Sequence, residues 1–363
     1  MCARQKWHVE VRFFPYPMST LRASLIGIVA AALICLGVSA LWLNKELERA
    51  LAAPLRLDAP VTYEVEPGTN VTMIASELSR RRLLERPAFF VWHARVSGKA
   101  QAIKAGEYEL TPGMSARELL ALLVSGRVVQ RALTVVEGWT FEELLDAVRG
   151  SPLLVATLPG ASVADVMTRL GRPQVHPEGR FFPDTYHFPK GTTDVEFLKR
   201  AYETMERYLA RAWNSRDSNL PLQDPYDALI LASIVEKETG VPDERGRIAG
   251  VLIKRLEKGM RLQTDPTVIY GLGAAFDGNL RRRDLESDTP YNTYTRTGLP
   301  PTPIAMPGAA SIDAVMHPVI DGSLYFVSKG DGSHHFSKTY QEHVNAVHRY
   351  QINRRQKMPQ QGG

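Results

Sequence analysis

Hydrophobic and polar positions follow a different pattern in each part of the chain, and each pattern predicts a different element. The first pattern is an unbroken apolar run: residues 24–43 (SLIGIVAAALICLGVSALWL) contain no charged side chain. A helix rising about 1.5 Å per residue over this length would just cross a hydrocarbon core of about 30 Å. The run is also longer than the roughly 7 to 15 apolar residues of a signal peptide. We therefore predict a retained transmembrane helix at residues 24–43.

Charges on the two sides of this run predict its orientation. Basic residues precede it at Arg4, Lys6, Arg12 and Arg22, whereas the charges that follow it closely are balanced. Cytoplasmic flanks carry an excess of Lys and Arg, so the N-terminus is expected in the cytoplasm. The chain after about residue 45 is then expected outside the cytoplasm, in a single-pass arrangement.

Three later stretches share an alternating strand, a glycine turn and an amphipathic helix. They are YEVEPGTNVTMIASEL from Tyr63, YELTPGMSARELLALL from Tyr108 and LTVVEGWTFEELLDAV from Leu133. The second and third helices open with Ser-x-x-Glu (115–118) and Thr-x-x-Glu (140–143), which predicts capping boxes. Such small βα units resemble LysM-type modules that bind glycan chains. The pattern is equally compatible with compact hairpins that serve as a spacer.

Beyond residue 150 the pattern changes to a loop rich in Pro and Gly, followed by long helices. The loop (171–191) holds aromatic and acidic side chains suited either to a sugar platform or to closing the edge of a core. Helices are predicted at about 194–213, 225–239, 243–258 and 338–352, with strands and turns from 259 to 326. The fold class is thus α+β. The predicted domains are a cytoplasmic tail (1–23), the transmembrane helix (24–43), a linker (44–60), a LysM-like subdomain (61–150), a catalytic domain (151–352) and a polar tail (353–363).

The stretch LASIVEKETG (231–240) is an apolar helix that ends in two glutamates. Helical periodicity places Glu238 on one face with Leu231 and Val235, whereas Glu236 lies about 160° away around the helix axis. Gly240 marks the helix end, so Glu238 sits in the last turn, where the helix dipole is negative. The dipole and burial both raise the pKa of a carboxyl group there. The alternative is a surface Glu-Lys-Glu at a frayed helix end, and only the neighbouring motifs favour a catalytic acid.

Composition narrows the function further. The net charge of +5 comes from basic and acidic residues that are interspersed, and a domain outside the cytoplasm has no nucleic acid to bind. The two cysteines, Cys2 and Cys35, offer neither a disulfide framework nor a thiol metal site. Phosphate loops, nucleophile motifs and His pairs at metal spacing are missing from the sequence. We therefore expect neither a cofactor nor a metal.

Several long motifs, in order, carry a resemblance to a known family. They are FPDTY (182–186), ASIVEKET (232–239), RLQTDPTVIYG (261–271), YNTYTRTGLPP (291–301), AMPG (305–308) and LYFVSKGDGSHHF (324–336). Together with the single membrane span they resemble the MltG family, the YceG-like endolytic murein transglycosylases. The resemblance covers about residues 60 to 350.

This resemblance implies an enzyme of the bacterial inner membrane, with its catalytic domain in the periplasm. It would cut nascent peptidoglycan strands internally and so terminate their elongation, with peptidoglycan synthases as partners. The family's catalytic glutamate maps onto Glu238. Candidate substrate contacts are Gln263, Thr264, Asp265, Tyr291, Asn292, Tyr294 and His334, each of which could instead hold a loop in shape.

A lytic transglycosylase needs one carboxyl group, which acts first as an acid and then as a base. A muramidase that hydrolyses the same MurNAc–GlcNAc bond would normally need a second carboxylate, for which Asp184 and Asp265 are candidates. A non-catalytic glycan-binding scaffold is the alternative from another class.

Overall fold

Helix α1 (Met18–Ala52) carries the apolar run and continues beyond it without a break. The structure is a computed structural model and describes residues 18–352, with side chains from residue 25 onward. Its segment Leu25–Ala52 is long and apolar enough to cross a membrane. The predicted cytoplasmic tail up to residue 17 and the predicted polar tail at 353–363 lie outside the described residues.

The described chain divides into two units that join between Val129 and Gln130. The first unit contains α1, β1 (Val61–Val65), α2 (Val71–Arg80), α3 (Pro87–Val96), β2 (Gly106–Leu110) and α4 (Ala116–Ser125). Strands β1 and β2 pair antiparallel, with Tyr63 opposite Tyr108. Both tyrosines point into a core that also contains Ile74 of α2 and Leu119 of α4. The sequence pattern did not predict α3.

The last turns of α1 belong to the first unit. Leu47, Ala50 and Leu51 are buried, and α1 contacts α3 and α4. The same helix therefore forms the membrane-span candidate and part of a folded unit.

The second unit is mainly helical. Its elements are β3 (Arg131–Thr134), α5 (Phe141–Gly150), α6 (Val163–Arg169), β4 (Thr185–Phe188), α7 (Asp194–Asn214), α8 (Pro225–Glu238), α9 (Arg245–Glu257), α10 (Asp265–Leu272), α11 (Arg282–Glu286), α12 (Ala309–Met316), β5 (Tyr325–Ser328), β6 (His334–Ser337) and α13 (Tyr340–Val347). Strand β3 pairs with β4 and β5 pairs with β6, both antiparallel. This mixture of helices and small sheets confirms the predicted α+β class.

The three predicted repeats of strand, glycine turn and helix are present. Their turn glycines, Gly68, Gly113 and Gly138, have φ values of 85°, 84° and 78°, in the region that favours glycine. Both predicted capping boxes form. The Ser115 and Thr140 hydroxyls accept the backbone N–H of the glutamate three residues later, and the carboxylate of that glutamate accepts the backbone N–H of Ser115 or Thr140 in return. The third repeat nevertheless lies in the second unit, because its strand β3 pairs with β4 (Leu133 opposite Tyr186). The units therefore join near residue 129, whereas the sequence placed a boundary at 150. The likeness to LysM modules stays a prediction.

The prediction of strands and turns between residues 259 and 326 is wrong in part, because this region contains helices α10, α11 and α12. Each is eight residues or shorter, and α10 has Pro266 in its first turn. Helices this short show too few turns for a helical period to be read from sequence.

Aromatic side chains of the 171–191 loop mostly close a core. Phe181, Tyr186 and Phe188 are buried. Tyr186 and Phe188 pack against Phe197 of α7, and Phe181 stacks on Phe141 of α5. Of the two possibilities for this loop, these three residues take the structural one.

Candidate active site

Helix α8 forms the centre of the second unit and ends at the candidate acid. Asp224 caps its N-terminus by accepting the backbone N–H groups of Tyr226 and Asp227. Every residue from 228 to 235 is buried, because α7, α9 and α12 pack around the helix. A helix that is apolar on all sides belongs in a core, and here it places its last residue, Glu238, at a fixed point.

Glu238 is partly exposed to solvent, yet protein surrounds it closely. Burial is the main reason that its pKa rises to about 8, and the negative charge of Asp265 raises it further. The positive charge of Arg255 acts in the opposite direction. Among the described residues none forms a hydrogen bond with the Glu238 carboxyl group. The structure therefore presents a carboxylic acid that stays largely protonated near neutral pH and has its oxygens free for a ligand.

Arg255 of α9 lies near this acid but is bound by other groups. It donates to the carbonyl oxygens of Leu324 (2.7 Å) and Leu262 (2.7 Å) and more weakly to the side-chain oxygen of Gln263 (3.3 Å). Its side chain is buried, and burial lowers its pKa. The guanidinium thus supplies positive charge near Glu238 without forming an ion pair that would force the acid to ionise.

Asp265 is the first residue of α10 and carries the second carboxylate of the site. The Tyr294 hydroxyl donates to it over 2.6 Å. Burial, Asp265 and Glu238 together raise the pKa of Tyr294, so this phenol keeps its proton. The structure therefore brings Glu238, Asp265 and Tyr294 into one electrostatic cluster.

A buried group of threonine hydroxyls holds the start of α10. Thr264 donates its backbone N–H to the Thr293 hydroxyl (3.0 Å), and Thr267 lies 2.9 Å from the same oxygen. Just before them, Gln263 adopts φ of +53°, an unfavourable conformation for a residue with a side chain. Its backbone N–H bonds to the Thr293 carbonyl oxygen. Strained backbone of this kind is enriched at functional sites, and Gln263 is exposed next to Arg255.

Asn292 and Tyr291 shape the loop that presents Tyr294. The Asn292 amide donates to three backbone carbonyl groups, the shortest bond being 2.6 Å to Ser287, and its oxygen accepts the Tyr294 N–H. The Tyr291 hydroxyl lies 2.8 Å from that of Thr302, and its ring packs against Tyr270. Thr264 and Asn292 are both buried, so their side chains here hold the polypeptide in shape.

His334 of β6 is held by a different acid. Its Nδ1 lies 2.7 Å from Glu244, and its backbone N–H donates to the same carboxylate. The hydrogen bond of its side chain is thus to Glu244, and none among the described residues joins that side chain to Glu238. Asp184 is exposed and accepts the neighbouring backbone N–H of Thr185.

Glu236 has a structural partner on another face of α8, in line with the helical periodicity. It accepts the Gly308 backbone N–H (3.0 Å) and the Ser311 hydroxyl (2.7 Å) at the start of α12. A carboxylate at a helix N-terminus is favourably placed. The two glutamates of the motif therefore have separate surroundings.

A groove of about 760 Å³ runs beside α10, lined by side chains that include His176, Glu178, Lys237, Ile269 and Tyr270. Glu178 is the buried acid of this groove. It accepts the Phe141 backbone N–H and the Tyr270 hydroxyl (2.9 Å), while burial raises its pKa to about 7.

Sequence reasoning missed Arg255, and it included Glu178 only as one of the acids of the 171–191 loop, without predicting its burial. Arg255 follows Ile248 and Leu252 at helical spacing, so a charge on an apolar face, the signal that marked Glu238, could have found it. Glu178 lies in an irregular loop, where no periodicity indicates burial.

An acid with a raised pKa, a buried arginine and a neighbouring carboxylate are groups that suit a site of acid and base catalysis. The comparisons with known proteins are more specific. The model of the YceG-like family matches residues 63–349, and the chain belongs to that family. The endolytic murein transglycosylase of Bacillus subtilis (strain 168) is 32% identical over 329 residues, which cover 83% of this chain and 88% of that protein.

Two further matches agree with this family. The endolytic murein transglycosylase of Streptococcus pneumoniae (serotype 2, strain D39) is 27% identical over 325 residues, which are 78% of this chain and 57% of that protein. The crystal structure of a putative YceG-like protein from Listeria monocytogenes has a TM-score of 0.50 and 29% identity, covering 79% of this chain and 99% of that one.

Proposed function

We propose that the protein is an endolytic lytic transglycosylase that cleaves the MurNAc–GlcNAc bond of nascent peptidoglycan strands. The family match and the relatives named endolytic murein transglycosylase support the enzyme class and its peptidoglycan substrate. The observation that carries the residue assignment is Glu238 itself, a partly exposed acid whose pKa is raised to about 8.

Glu238 acts twice in the proposed reaction. Its proton passes to the glycosidic oxygen as the bond from that oxygen to C1 of MurNAc breaks. The resulting carboxylate then takes the proton of the C6 hydroxyl of the same sugar, and that oxygen closes onto C1. The product has a 1,6-anhydro end, and Glu238 regains its proton without water being consumed.

The residues around Glu238 take supporting parts in this proposal. Asp265 keeps Glu238 protonated before the reaction, and Tyr294 holds Asp265 in place. Exposed Gln263 is positioned to contact sugar hydroxyl groups. Thr264 and Asn292 support the site through the loops that they hold. Tyr291 and His334 remain predicted substrate contacts, at a greater distance from the reacting bond. The groove beside α10 offers a concave surface where an internal cut could seat further sugars of the strand.

Product analysis separates this reaction from hydrolysis. Digestion of uncrosslinked glycan strands should give anhydro-MurNAc ends by mass spectrometry. Reducing MurNAc ends in their place would identify a muramidase and contradict the transglycosylase assignment.

Glu238→Gln tests the residue assignment. The amide keeps the shape of the side chain but cannot donate the proton, so we expect strand cleavage to fall by about 10³-fold or more. The matched control is Glu257→Gln, an exposed glutamate of α9 paired with Lys254, which should retain full activity. Unchanged cleavage by Glu238→Gln would leave the non-catalytic scaffold as the better explanation.

The proposal also includes the cellular setting. Helix α1 would cross the inner membrane once, with residues 1–23 in the cytoplasm and both folded units in the periplasm. Basic residues before the span support this orientation. Peptidoglycan synthases, which make the nascent strands, are the proposed partners.

A further inference from the structure

Helix α3 exposes an apolar face that no core of the first unit covers. Trp92 is 50% exposed and Val96 is 67% exposed. Phe89 lies one turn before Trp92 on the same face, while Phe90 and Ala94 point into the core. Large apolar side chains grouped in this way on a surface usually mark a site of contact.

The same face adjoins the end of the membrane-span candidate. Leu43 and Leu47 of α1 form an apolar notch with Phe89 and Trp92. At the side of the notch, Arg86 forms an ion pair with Glu46 of α1 over 2.5 Å. Because α1 is helical throughout, these contacts fix the position of α3 along the axis of α1, and hence its distance from the end of the apolar run.

That position corresponds to the boundary of a bilayer. The charge-free run ends at residue 43, and Leu47 is four residues, or about 6 Å, further along the helix. The polar layer on each side of a hydrocarbon core is roughly 5 to 7 Å thick. Trp92 and Phe89 would therefore lie within that layer, where amphipathic aromatic side chains are enriched.

The charges near α3 complement a membrane surface. Residues 77–99 contain six Arg or Lys side chains and two Glu side chains. Arg80, Arg82 and Lys99 are exposed within this segment. Arg80 and Arg95 line the same groove as Trp92, so these two basic side chains lie beside the apolar face, where they would attract anionic lipid headgroups.

We propose that α3 docks on the surface of the bilayer that α1 crosses, with Phe89, Trp92 and Val96 among the lipid headgroups. The first unit is then fastened to the membrane at two points, the span and this helix face. The proposal depends on the membrane anchor proposed above, but not on the reaction at Glu238.

Spin labels on the full chain in lipid vesicles test this docking. In a Cys2→Ser background, a nitroxide on the native Cys35 reports whether α1 spans the bilayer. Cys2→Ser with Cys35→Ala then allows a label at Val96→Cys, and the matched control is a label at Val61→Cys on β1, also an exposed valine. Vesicles contain phosphatidylethanolamine with phosphatidylglycerol, or phosphatidylcholine alone. Collision with a water-soluble nickel complex is measured against collision with oxygen.

We expect the label at position 96 to lose nickel collisions several-fold relative to position 61, most strongly with phosphatidylglycerol. Trp92→Glu should restore them at position 96, and an unchanged spectrum at position 61 verifies that the variant is folded. Equal nickel access at both positions, with Cys35 buried in lipid, overturns the docking. A water-exposed Cys35 overturns the membrane anchor instead. Spin–spin broadening at position 96 that disappears on dilution with unlabelled protein would show that a second copy covers the face, which also overturns it.

Discussion

Glu236 and Glu238 have the same side chain, lie two residues apart and experience opposite surroundings. Glu236 accepts two hydrogen bonds at the start of α12, where its negative charge is favourable. Glu238 has no such donor among the described residues, and burial raises its pKa to about 8. Two hydrogen bonds therefore hold the Glu236 side chain in the fold, whereas ionisation of Glu238 opposes the fold.

This difference predicts opposite effects of two matched substitutions on the free energy of unfolding. The raised pKa of Glu238 gives stability that is fully present below its ordinary value of 4.5 and is lost as the pH rises to about 8. Glu238→Gln removes that loss and should stabilise the protein by a few kcal/mol near pH 8, and by little near pH 4. Glu236→Gln should destabilise it by about 1 to 2 kcal/mol at neutral pH. Denaturant unfolding in detergent micelles across this pH range measures both. Destabilisation by Glu238→Gln at pH 8 would contradict the raised pKa.

The pH dependence of catalysis should respond to Asp265. The acid must be protonated, so kcat/KM should fall above an apparent pKa of about 8. Asp265→Asn removes a negative charge and should move this fall to lower pH by roughly one unit, while burial keeps the value above that of an ordinary glutamate. The control Asp184→Asn, an exposed carboxylate, should leave the profile in place. An unchanged pH profile in Asp265→Asn would show that Asp265 does not influence the pKa of the catalytic acid.

At the scale of elements, α9 depends on close approach to an irregular segment. A Cβ atom added to Gly250 would lie 2.1 Å from the backbone oxygen of Val319. Beside it, the Val319 N–H donates to the Gly246 carbonyl oxygen. The absence of a side chain at Gly250 thus allows the backbone at Val319 to pack directly against α9, the helix that carries Arg255.

Gly250→Ala should therefore destabilise the second unit by about 2 kcal/mol or more, although alanine favours a helix by about 1 kcal/mol. The matched control is Gly150→Ala in α5, where an added Cβ would meet no heavy atom within 4 Å. This control should stabilise the protein by a few tenths to about 1 kcal/mol. Thermal unfolding of the two variants measures the contrast, and similar melting temperatures would argue against the close approach.

The sequence predicted those elements that are long or have strong end signals. Helices α7, α8 and α9 extend over several turns, and the boxes at Ser115 and Thr140 mark their helices through adjacent residues. Helical spacing also predicted different surroundings for Glu238 and Glu236, because both lie on α8 and the helix determines which face each occupies. The short helices α10 to α12 have too few turns to show a helical period. The contact of Asp265 with Tyr294 joins residues 29 positions apart, which no local pattern records.

At the scale of the molecule, each unit has a core of its own. One buried cluster uses residues from Leu55 to Leu123, and the other two use residues from Val135 to Met316. Both units bury large side chains completely, including Ile74 in the first and Ile234 in the second. Separate cores of this kind are expected to unfold as separate cooperative units.

Calorimetry of the full chain in detergent micelles should therefore resolve two unfolding transitions. Ile74→Ala should lower the temperature of one transition and Ile234→Ala that of the other. Each substitution should reduce the free energy of unfolding of its own unit by about 2 to 5 kcal/mol. One transition that both variants lower equally would show that the two cores unfold together.

Helix α1 runs without a break from the membrane-span candidate into the first unit. The number of residues between the two therefore sets both the distance between them and the rotation of the first unit around the helix axis. One residue inserted near position 45 would rotate the first unit by about 100° around the helix axis and raise it by only about 1.5 Å. Seven inserted residues would return it almost to its original facing, about 10 Å further from the bilayer. A flexible tether would tolerate all such insertions alike. With α1 as the proposed membrane anchor, this segment would instead act as a rigid helical spacer, and its helical phase would determine which side of the first unit faces the membrane.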